Sequence, residues 1–558
     1  MTRVAAIGLD AAEWAVVEEL IDEGEMPTLA KLRKESAACR LRNVVPYRSE
    51  LPWTQFLTGR SAETNRYWST VVFDPASYEA HCVGAHPARP FYAWGPDTNV
   101  IAFDIPHSVI DESVNGLQVT AWGAHSAQYP RASRPRGLLT EIDTRFGQHP
   151  AFDNDYDGGW HQRRFLDALG SALLDGCARR AEAARWLLTE RMPDWDLFVT
   201  VLSESHSGGH HYWHGVDATH PLQEVASTSD AAREWLRRVY AAQDSAVGTI
   251  LEALPPDAML VVFSVHGMQV NANDVPSLAL LPELLHRLHF GAPLLADVDQ
   301  DKWRRSGFRP VDVPERLIWR HWLDKRRSPA GGLRAALPDP IVGGLRAAQR
   351  RLTGRPRMAW DFPNRSEPEC GLDPIAMSQQ RQSLRWQTSY WYREYWPRMR
   401  WFVLPTFSDA HVRINLQGRE RDGVVAADDY ERACAEFEET VRACENPRTG
   451  RPAVDEVVRM RTADPFDPDG PDSDLVVVWA EPADALEHPD VGLVGPLPYS
   501  RTGEHSANGF AFFSGPGIER ADLGERSAFD MTPTIVSLLG KDPSSQGFEG
   551  TTIPNLRQ

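Results

Sequence analysis

Several apolar runs spread over the 558-residue chain end in a side chain that can bind a metal ion or attack phosphorus. These side chains are Asp10 in VAAIGLD, Ser49 in YRSELPWTQFLTG, His206 and His210 in ESHSGGHHYWH, His266 in VVFSVHGM, and His505 in RTGEHSANG. Phosphoryl transfer needs a nucleophile in line with the leaving group, and it needs positive charge on the non-bridging oxygens, which bound metal ions supply. The set therefore predicts metal-dependent phosphoryl-transfer chemistry with a serine nucleophile.

The segment ESHSGGHHYWHG is the most specific of these signals. His206 and His210 are four residues apart with two glycines between them, a spacing that suits two imidazoles turned toward one ion. Taken singly, each residue has an ordinary structural explanation: a helix N-cap for Asp10, a turn for Ser49, or a buried and hydrogen-bonded histidine. Such explanations do not account for the whole set, which favours metal chemistry.

The elements that must position these residues follow from the apolar pattern. Short runs rich in Val, Ile and Phe predict strands buried on both faces of a parallel sheet, namely Val4–Leu9, Val100–Ile105, Leu197–Leu202, Met259–Ser264, Leu475–Trp479 and Phe510–Ser514. Between them we expect helices over Arg163–Glu190 and over Glu13–Glu35, the latter broken near Gly24 and Pro27. Alternating strands and helices indicate an α/β layered fold, in which ligands gather beyond the carboxyl ends of the strands.

Composition limits the class of protein. The hydrophobic fraction is 42%, and no apolar run reaches the roughly 20 residues that a membrane helix needs. The start of the chain lacks the pattern of a secretory signal, because an apolar strand-like run follows directly after Met1. The six cysteines are widely spread and include no CxxC pair, so we expect neither a disulfide framework nor a zinc knuckle. Together these features predict a cytoplasmic protein without a membrane segment.

Residues 275–401 differ from the rest of the chain. This region holds eight of the 19 tryptophans, and residues 301–400 carry 21 Lys/Arg against 10 Asp/Glu in a chain of net charge −18. We interpret 275–401 as a basic, Trp/Arg-rich insertion or cap on a core formed by 1–274 and 402–558. Its positive charge fits either an anion-facing surface or a solvated helical face. Nucleic-acid binding is disfavoured, because a cap needs tryptophans for a small core of its own.

Across most of these segments the chain resembles the alkaline phosphatase superfamily, specifically its type I phosphodiesterase/nucleotide pyrophosphatase branch. The matching pieces are GLDAAEW, GEMPTLAKL, SELPWTQFLTGRSAET, SESHSGGHHYWH, VVFSVHGM, RTGEHSANGFAFFSGPGI and DMTPTIVSLLG. The resemblance implies an α/β/α core with a mostly parallel sheet and a large inserted cap. It also implies that Ser49 forms a covalent phospho-enzyme that water then hydrolyses. In that family Asp10 would bind one metal with the nucleophile and an SDHG pair, and His206, His210 and His505 would bind another.

Two departures from the family pattern change the expected metal sites. SDHG reads SVHG here, so that Val265 replaces a carboxylate ligand, and His206 stands where the family has Asp. The first site would keep Asp10, His266 and Ser49, while the second would become a three-histidine site of the kind that binds zinc. We therefore expect a divalent metal cofactor, zinc by preference, with one or two ions bound.

Four charged residues near these motifs have two explanations each. Glu204 either replaces the missing carboxylate, directly or from behind the ligands, or lies on the surface. Arg48 either contacts a substrate phosphate or lies on the surface. For Arg413 and Arg419, in HVRINLQGRERDGVV, the alternatives are contact with substrate and attachment of the insertion to the core.

The predicted function is hydrolysis of phosphodiester or pyrophosphate bonds in a small anionic phosphate-ester substrate. A phosphomonoesterase on the same scaffold is the alternative enzyme. A catalytically degenerate member that binds an anionic ligand is the alternative of a different class, for which Val265 is the best evidence. Against that alternative stand Asp10, Ser49, His210, His266 and His505, which have little reason to persist together without metal chemistry.

Overall fold

A computed structural model describes most of the chain. It covers residues 2–44, 51–82, 89–123, 131–151, 158–296, 298–311, 382–384, 387–407 and 409–554, with single positions at 313, 327, 337, 341, 344, 345, 348 and 556. Ser49 and Arg48 lie outside the described residues. Within the described ranges, no helix combines the length and the apolar character that crossing a lipid bilayer requires.

The strands of the described residues are short. They are β1 Val4–Leu9, β2 Ala37–Arg42, β3 Val71–Asp74, β4 Glu79–Cys82, β5 Gly95–Phe103, β6 Val114–Thr120, β7 Ala132–Arg134, β8 Leu197–Leu202, β9 Met259–Ser264, β10 Gly267–Val270, β11 Gln382–Ser383, β12 Trp401–Val403, β13 Ala410–Ile414, β14 Glu445–Asn446, β15 Arg451–Pro452, β16 Val454–Arg459, β17 Leu475–Trp479, β18 Leu486–His488, β19 Gly492–Val494, β20 Gly503–Ser506, β21 Asn508–Ser514 and β22 Ala521–Ser527.

The helices of the same ranges lie mostly between strands. They are α1 Trp14–Asp22, α2 Pro27–Glu35, α3 Pro52–Thr58, α4 Ala62–Asn65, α5 Leu138–Phe146, α6 Arg163–Trp186, α7 Glu204–Tyr212, α8 Ser229–Glu252, α9 Leu281–Phe290, α10 Gln300–Arg305, α11 Tyr430–Arg442 and α12 Met531–Leu538. Short 3-10 segments are Gly159–His161, Trp213–Gly215, Ser389–Tyr392, Trp396–Arg398, Ala427–Asp429, Ala528–Asp530 and Pro543–Gln546, and π-helical turns are Leu187–Arg191 and Pro276–Leu280.

A nine-stranded sheet forms the centre of the fold, with strand order β22-β2-β21-β9-β1-β8-β5-β6-β7. Its middle strands β9, β1, β8, β5 and β6 are parallel, with Val4 of β1 in register with Leu197 of β8 and Met259 of β9. The α/β class with a mostly parallel central sheet, predicted from the sequence, is therefore confirmed. The run predicted at Phe510–Ser514 belongs to this sheet as β21, but it pairs antiparallel with β9.

Alternation along β1 shows why the core has three layers. Ala5, Ile7 and Leu9 pack on one face of the sheet in an apolar cluster with α6 and α8. Val4 and Ala6 point to the other face, into a cluster that contains residues of α3 and α12. Because successive side chains of a strand alternate between faces, an uninterrupted apolar run is stable only where both faces are covered.

A second, smaller set of sheets lies outside the central one. Strands β12, β13, β17 and β16 form an antiparallel sheet, and β11 pairs with β4 and β3. Leu475–Trp479 was predicted as a strand of the central sheet. It is a strand, β17, but that placement was wrong because it lies in the antiparallel sheet. A fully buried apolar run has the same pattern in either sheet, so the run alone does not decide between them.

Aromatic packing holds this second region together. Trp396 stacks on Phe402 with ring centroids 4.9 Å apart, and Phe73 contacts both rings. The assignment of 275–401 to an insertion stays a prediction, because much of 312–381 lies outside the described residues. Within the described part, the antiparallel sheet draws its strands from residues 401–479.

Arg413 and Arg419 tie this region together from within. Arg413 Nε lies 2.6 Å from Glu420 Oε1, and Arg419 donates from both Nη atoms to the two oxygens of Asp474 at 2.7 Å. All four side chains are nearly or fully buried. These bonds join residues of 402–558 to one another, so they give both arginines a structural role within that part of the chain, which is neither contact with substrate nor attachment of residues 275–401.

Candidate metal centre

The candidate ligands meet because their strands are neighbours in the sheet. Asp10 follows β1 directly, α7 with its two histidines begins two residues after β8, and His266 lies two residues after β9. Strands β8, β1 and β9 are adjacent and parallel, so their carboxyl ends share one edge. His505 reaches the same edge on β20, which pairs antiparallel with β10 and sets His505 opposite Met268.

His206, His210 and His505 form the histidine cluster. Their potential ligand atoms all lie within 4.8 Å of one another, and all three side chains are buried. Nε2 of His206 and Nε2 of His210 are 3.1 Å apart. Two imidazole nitrogens on one tetrahedral zinc, at about 2.0–2.1 Å from the ion, would be about 3.3 Å apart. The observed spacing therefore fits a shared metal ion.

The tautomer of His210 is set by the backbone of the β20 segment. Its Nδ1 lies 2.7 Å from the carbonyl oxygen of Gly503 and donates to it, so the lone pair of the ring is on Nε2, the nitrogen that lies near His206. Thr502 N donates in turn to the carbonyl oxygen of His210 at 2.8 Å. Hydrogen bonds of this kind orient metal-binding histidines and raise their basicity.

Asp10 and His266 form a second group beside the histidine cluster. Asp10 Oδ1 accepts from Trp53 Nε1 at 2.6 Å, and Nε2 of His266 lies 3.5 Å from the same oxygen. The rings of His266 and His505 have centroids 4.5 Å apart, so the two groups are contiguous.

The surroundings of His266 suit a metal ligand. Burial lowers the pKa of His266 to about 3, with a smaller contribution from His107, so the imidazole is neutral, the form that ligates metals. Among the described residues, neither ring nitrogen of His266 makes a hydrogen bond. Because buried polar atoms usually have partners, His266 is a candidate to bind a group from outside the polypeptide, such as a metal ion.

Glu204 lies at the first turn of α7 but is engaged elsewhere. Its Oε1 is 3.2 Å from Arg180 Nε and 3.1 Å from His149 Nε2, and Arg180 also donates to Asp104 at 2.8 Å. Burial alone would raise the pKa of Glu204, but the guanidinium of Arg180 and the contact with His149 bring it down to about 2. Glu204 is not on the surface, and it anchors the helix that carries two candidate ligands.

Val265 contributes packing where the resembling family has a carboxylate. Its side chain lies in the same apolar cluster as Trp53 and Phe263, and its carbonyl oxygen accepts from Asn43 Nδ2 at 3.1 Å. An aliphatic side chain cannot coordinate metal, so the group around Asp10 has fewer oxygen ligands than the family pattern implies. The histidine cluster is consequently the better-formed of the two candidate sites.

Ser49 and Arg48 lie outside the described residues, and helix α3 follows them in the chain. Helix α3 begins at Pro52, and its second residue, Trp53, donates to Asp10. Trp53, which contacts the candidate site, is four residues after Ser49 in the sequence. Their roles as phosphate contact and nucleophile stay predictions.

The sequence did not single out three residues that border the site. Glu13 Oε2 accepts from Met268 N and from Ser506 Oγ, both at 3.2 Å, and so links the segments that follow His266 and His505. Arg501 Nη1 lies 3.3 Å from Nε2 of His210, and Asp274 holds that arginine. Glu13 and Arg501 each lie within four residues of a predicted ligand, and this closeness was the only sequence feature that could have pointed to them. No sequence feature pointed to Asp274.

No family model and no curated protein sequence matches the chain. Solved structures do match it. Phosphonoacetate hydrolase from Sinorhizobium meliloti 1021, in complex with phosphonoformate, is 13% identical, with 96% of each chain covered and a TM-score of 0.42. Murine ectonucleotide pyrophosphatase/phosphodiesterase 5, inactive and in complex with AMP, is 11% identical, with 97% of this chain and 96% of that chain covered and a TM-score of 0.43. Alkaline phosphatase PafA is 11% identical over 100% of both chains, with a TM-score of 0.47.

All three proteins are members of the alkaline phosphatase superfamily, which the sequence motifs of this chain also resemble. The identities are 11–13% and the TM-scores lie below 0.5. For that reason the function proposed below rests on the residues of this chain alone.

Proposed function

We propose that this chain is a metal-dependent hydrolase of phosphate esters or pyrophosphate bonds, with Ser49 as nucleophile. The observation that carries the proposal is the histidine cluster, in which Nε2 of His206 and Nε2 of His210 lie 3.1 Å apart at the carboxyl edge of a parallel sheet. Three buried imidazoles, which bind metal ions in their neutral form, suit zinc or a similar ion. When bound there, the ion would polarise a phosphoryl oxygen and offset its developing charge.

The polypeptide supplies the remaining parts of this mechanism. Asp10 and His266 would hold a second ion or, without one, orient the nucleophile; Trp53 fixes the position of the carboxylate through its indole N–H. Ser49 would attack phosphorus and form a phosphoserine, and water would then hydrolyse it. Each attack is in line with the group that leaves, so a fixed ligand frame on adjacent strand ends favours the reaction.

The cytoplasmic location belongs to this proposal as well. The described cysteines, 39, 82, 177, 434 and 444, form no disulfide. All five are buried. Their state suits a reducing compartment, where disulfides are rare.

Replacement of Ser49 tests the nucleophile. In Ser49→Ala, turnover of an activated phosphate ester should fall to the background of the buffer, while metal content stays at the parent value. Ser49→Thr should keep part of the activity, because it retains a hydroxyl nucleophile. Ser61→Ala is the matched control, since Ser61 caps α4 through Thr64 N and lies outside the candidate site. Parent-like turnover by Ser49→Ala would contradict the assignment.

The degenerate, anion-binding alternative predicts a different outcome. Under it, the parent protein with added zinc would show no turnover of mono- or diesters, and Ser49→Ala would leave anion binding unchanged. Trapping of a phosphoserine after acid quench of the parent, with mass analysis of the peptide that contains Ser49, would exclude this alternative.

A further inference from the structure

Arg501 and Asp274 form a rigid ion pair at the edge of the histidine cluster. Arg501 donates from Nε to Asp274 Oδ2 at 2.9 Å and from Nη2 to Asp274 Oδ1 at 3.0 Å. This two-point geometry fixes the plane of the guanidinium. The third nitrogen, Nη1, is the one that lies 3.3 Å from Nε2 of His210. The cation therefore faces the cluster in a defined orientation.

Asp274 is itself held in place. Its side chain is buried, and it accepts from Ser500 Oγ at 2.7 Å, while its backbone N–H donates to Asn271 Oδ1 at 3.0 Å. Burial alone would raise the pKa of Asp274, but the charge and hydrogen bonds of Arg501 hold that pKa below its ordinary value. The carboxylate is thus ionised, and it holds the guanidinium of Arg501 in a fixed position.

Asp274 offsets the charge of Arg501, but the Nη1 end of the guanidinium still faces the cluster and any metal ion bound there. Like charges a few ångströms apart repel, whereas an oxyanion at the cluster would be attracted by each. Arg501 is still 21% exposed in its side chain, so it is accessible to a ligand. Arginine is well suited to bind phosphate oxygens, because its donors form a planar fork.

The charge of the candidate site favours a particular kind of phosphate. Histidine ligands would contribute no negative charge to a divalent ion bound in the cluster, and Glu204 is already paired with Arg180. A terminal phosphoryl group carries up to two negative charges near neutral pH, whereas an internal diester carries one. A metal ion in the cluster and the Nη1 group of Arg501 would therefore attract a terminal phosphoryl group more strongly than an internal diester.

We propose that Arg501, supported by Asp274, binds a non-bridging oxygen of a terminal phosphoryl group and so selects phosphomonoesters or terminal diphosphates over internal diesters. This inference rests on the proposed function, and it decides between the two hydrolase alternatives left open by the sequence. Asp274 is a positioning residue in this account, since it acts through Arg501.

The test compares three variants of the zinc-loaded protein. Arg501→Gln removes the cation, and Arg501→Lys keeps a charge without the planar fork. Arg237→Gln is the control, because Arg237 of α8 is a similarly exposed arginine, at 23%, and pairs with Glu23 and Glu25, which follow α1. The probes are inorganic phosphate for binding, and 4-nitrophenyl phosphate, pyrophosphate and bis(4-nitrophenyl) phosphate for turnover. Zinc per chain is measured for each variant.

We expect inorganic phosphate to bind Arg501→Gln about 10- to 100-fold more weakly than the parent, as for loss of a hydrogen bond to a charged group. The kcat/KM for 4-nitrophenyl phosphate or for pyrophosphate should fall by a similar factor. Comparison of these two substrates shows whether the site accepts a monoester or a diphosphate. The kcat/KM for the diester should change less than threefold. Arg501→Lys should recover part of the loss, and Arg237→Gln should match the parent.

Three results would overturn the inference. One is unchanged phosphate binding in Arg501→Gln; another is an equal loss on mono- and diester, which indicates general damage to the site. The third is loss of zinc from Arg501→Gln, which indicates a role in metal retention. If the parent turned over none of the esters but bound phosphate through Arg501, the proposed hydrolase function would fail while the phosphate contact stood.

Discussion

Two buried polar clusters of this molecule differ in how their members are paired. In the second region, Arg413, Arg419, Glu420 and Asp474 bring opposite charges together, with Arg419 and Asp474 joined by two contacts of 2.7 Å. At the edge of the central sheet, the histidine cluster brings like groups together within 4.8 Å. The first cluster is closed on itself and serves the fold. The second brings together imidazole nitrogens that can coordinate a metal ion, so we infer that its role is to bind one.

The largest effect should follow from removing a member of the histidine cluster. In His210→Ala, zinc per chain should fall and ester turnover should drop by about 100-fold or more, since even residues behind the ligands contribute 10- to 100-fold. The apparent Tm of the metal-free protein should fall by a few degrees at most, because loss of the hydrogen bond to Gly503 costs about 1–3 kcal/mol. Metal analysis, turnover and thermal unfolding check the three statements. His289→Ala is a matched control, because His289 lies on α9 and bonds the carbonyl oxygen of Leu285. If His210→Ala kept all of its zinc, the histidine cluster would not be a metal site, and the proposed difference between the two clusters would be wrong.

The arginine–carboxylate cluster should show the reverse behaviour. Arg419→Met leaves Asp474 buried without its two-point partner, which costs about 3–5 kcal/mol of stability. Its apparent Tm should fall by several degrees, while the folded fraction keeps the zinc content of the parent. Arg421→Met is the control, since Arg421 is 54% exposed and pairs with its neighbour Asp422. A parent-like Tm for Arg419→Met would contradict the structural role.

Glu204 lies between the two cases, because it is internally paired yet begins the helix of two candidate ligands. Glu204→Gln keeps the shape but loses the charge that faces Arg180, and we expect a cost of about 1–3 kcal/mol. Zinc stoichiometry should stay at the parent value, although affinity falls modestly. Glu182→Gln, in an exposed pair on α6, should change neither. Loss of one zinc equivalent from Glu204→Gln would instead make Glu204 a ligand.

The smallest expected effect is a loss of stability at acidic pH. Burial would raise the pKa of Asp474, but hydrogen bonds and charge from Arg419, with Arg413, hold it below its ordinary value. A depressed folded-state pKa gives stability that is present above the unfolded pKa and is lost as pH falls through the folded value. The apparent Tm should therefore decrease below about pH 4, and this acid-dependent decrease should be smaller in Asp474→Asn. An equal decrease in both proteins would show that Asp474 does not contribute.

Local pattern was sufficient to predict the central elements. The predicted β1, β8 and β9 have the observed bounds, and the break of the first helix near Gly24 separates α1 from α2. The predicted strand Val100–Ile105 lies partly in β5, which runs over Gly95–Phe103. The approach of His206 to His210 follows from their spacing of four residues, whereas the place of His505 beside them was implied by the family resemblance.

Contacts between distant segments could not be predicted. The partner of Glu204 is Arg180, on a helix 24 residues earlier, and the partner of Arg501 is Asp274, 227 residues away. A single sequence does not show which of many charged residues will meet. The same limit applies to β17, whose apolar run fits either sheet, so its place depends on tertiary pairing rather than on its own residues.

The most direct test of the central claim is elemental analysis of metal bound per chain, after purification without chelator and with zinc resupplied. The account predicts at least one tightly bound equivalent, which is lost in His206→Ala, His210→Ala and His505→Ala but kept in Arg419→Met. A second equivalent that depends on Asp10 and His266 would extend the account to two ions. No bound metal in the parent, or binding that survives all three histidine replacements, would contradict it.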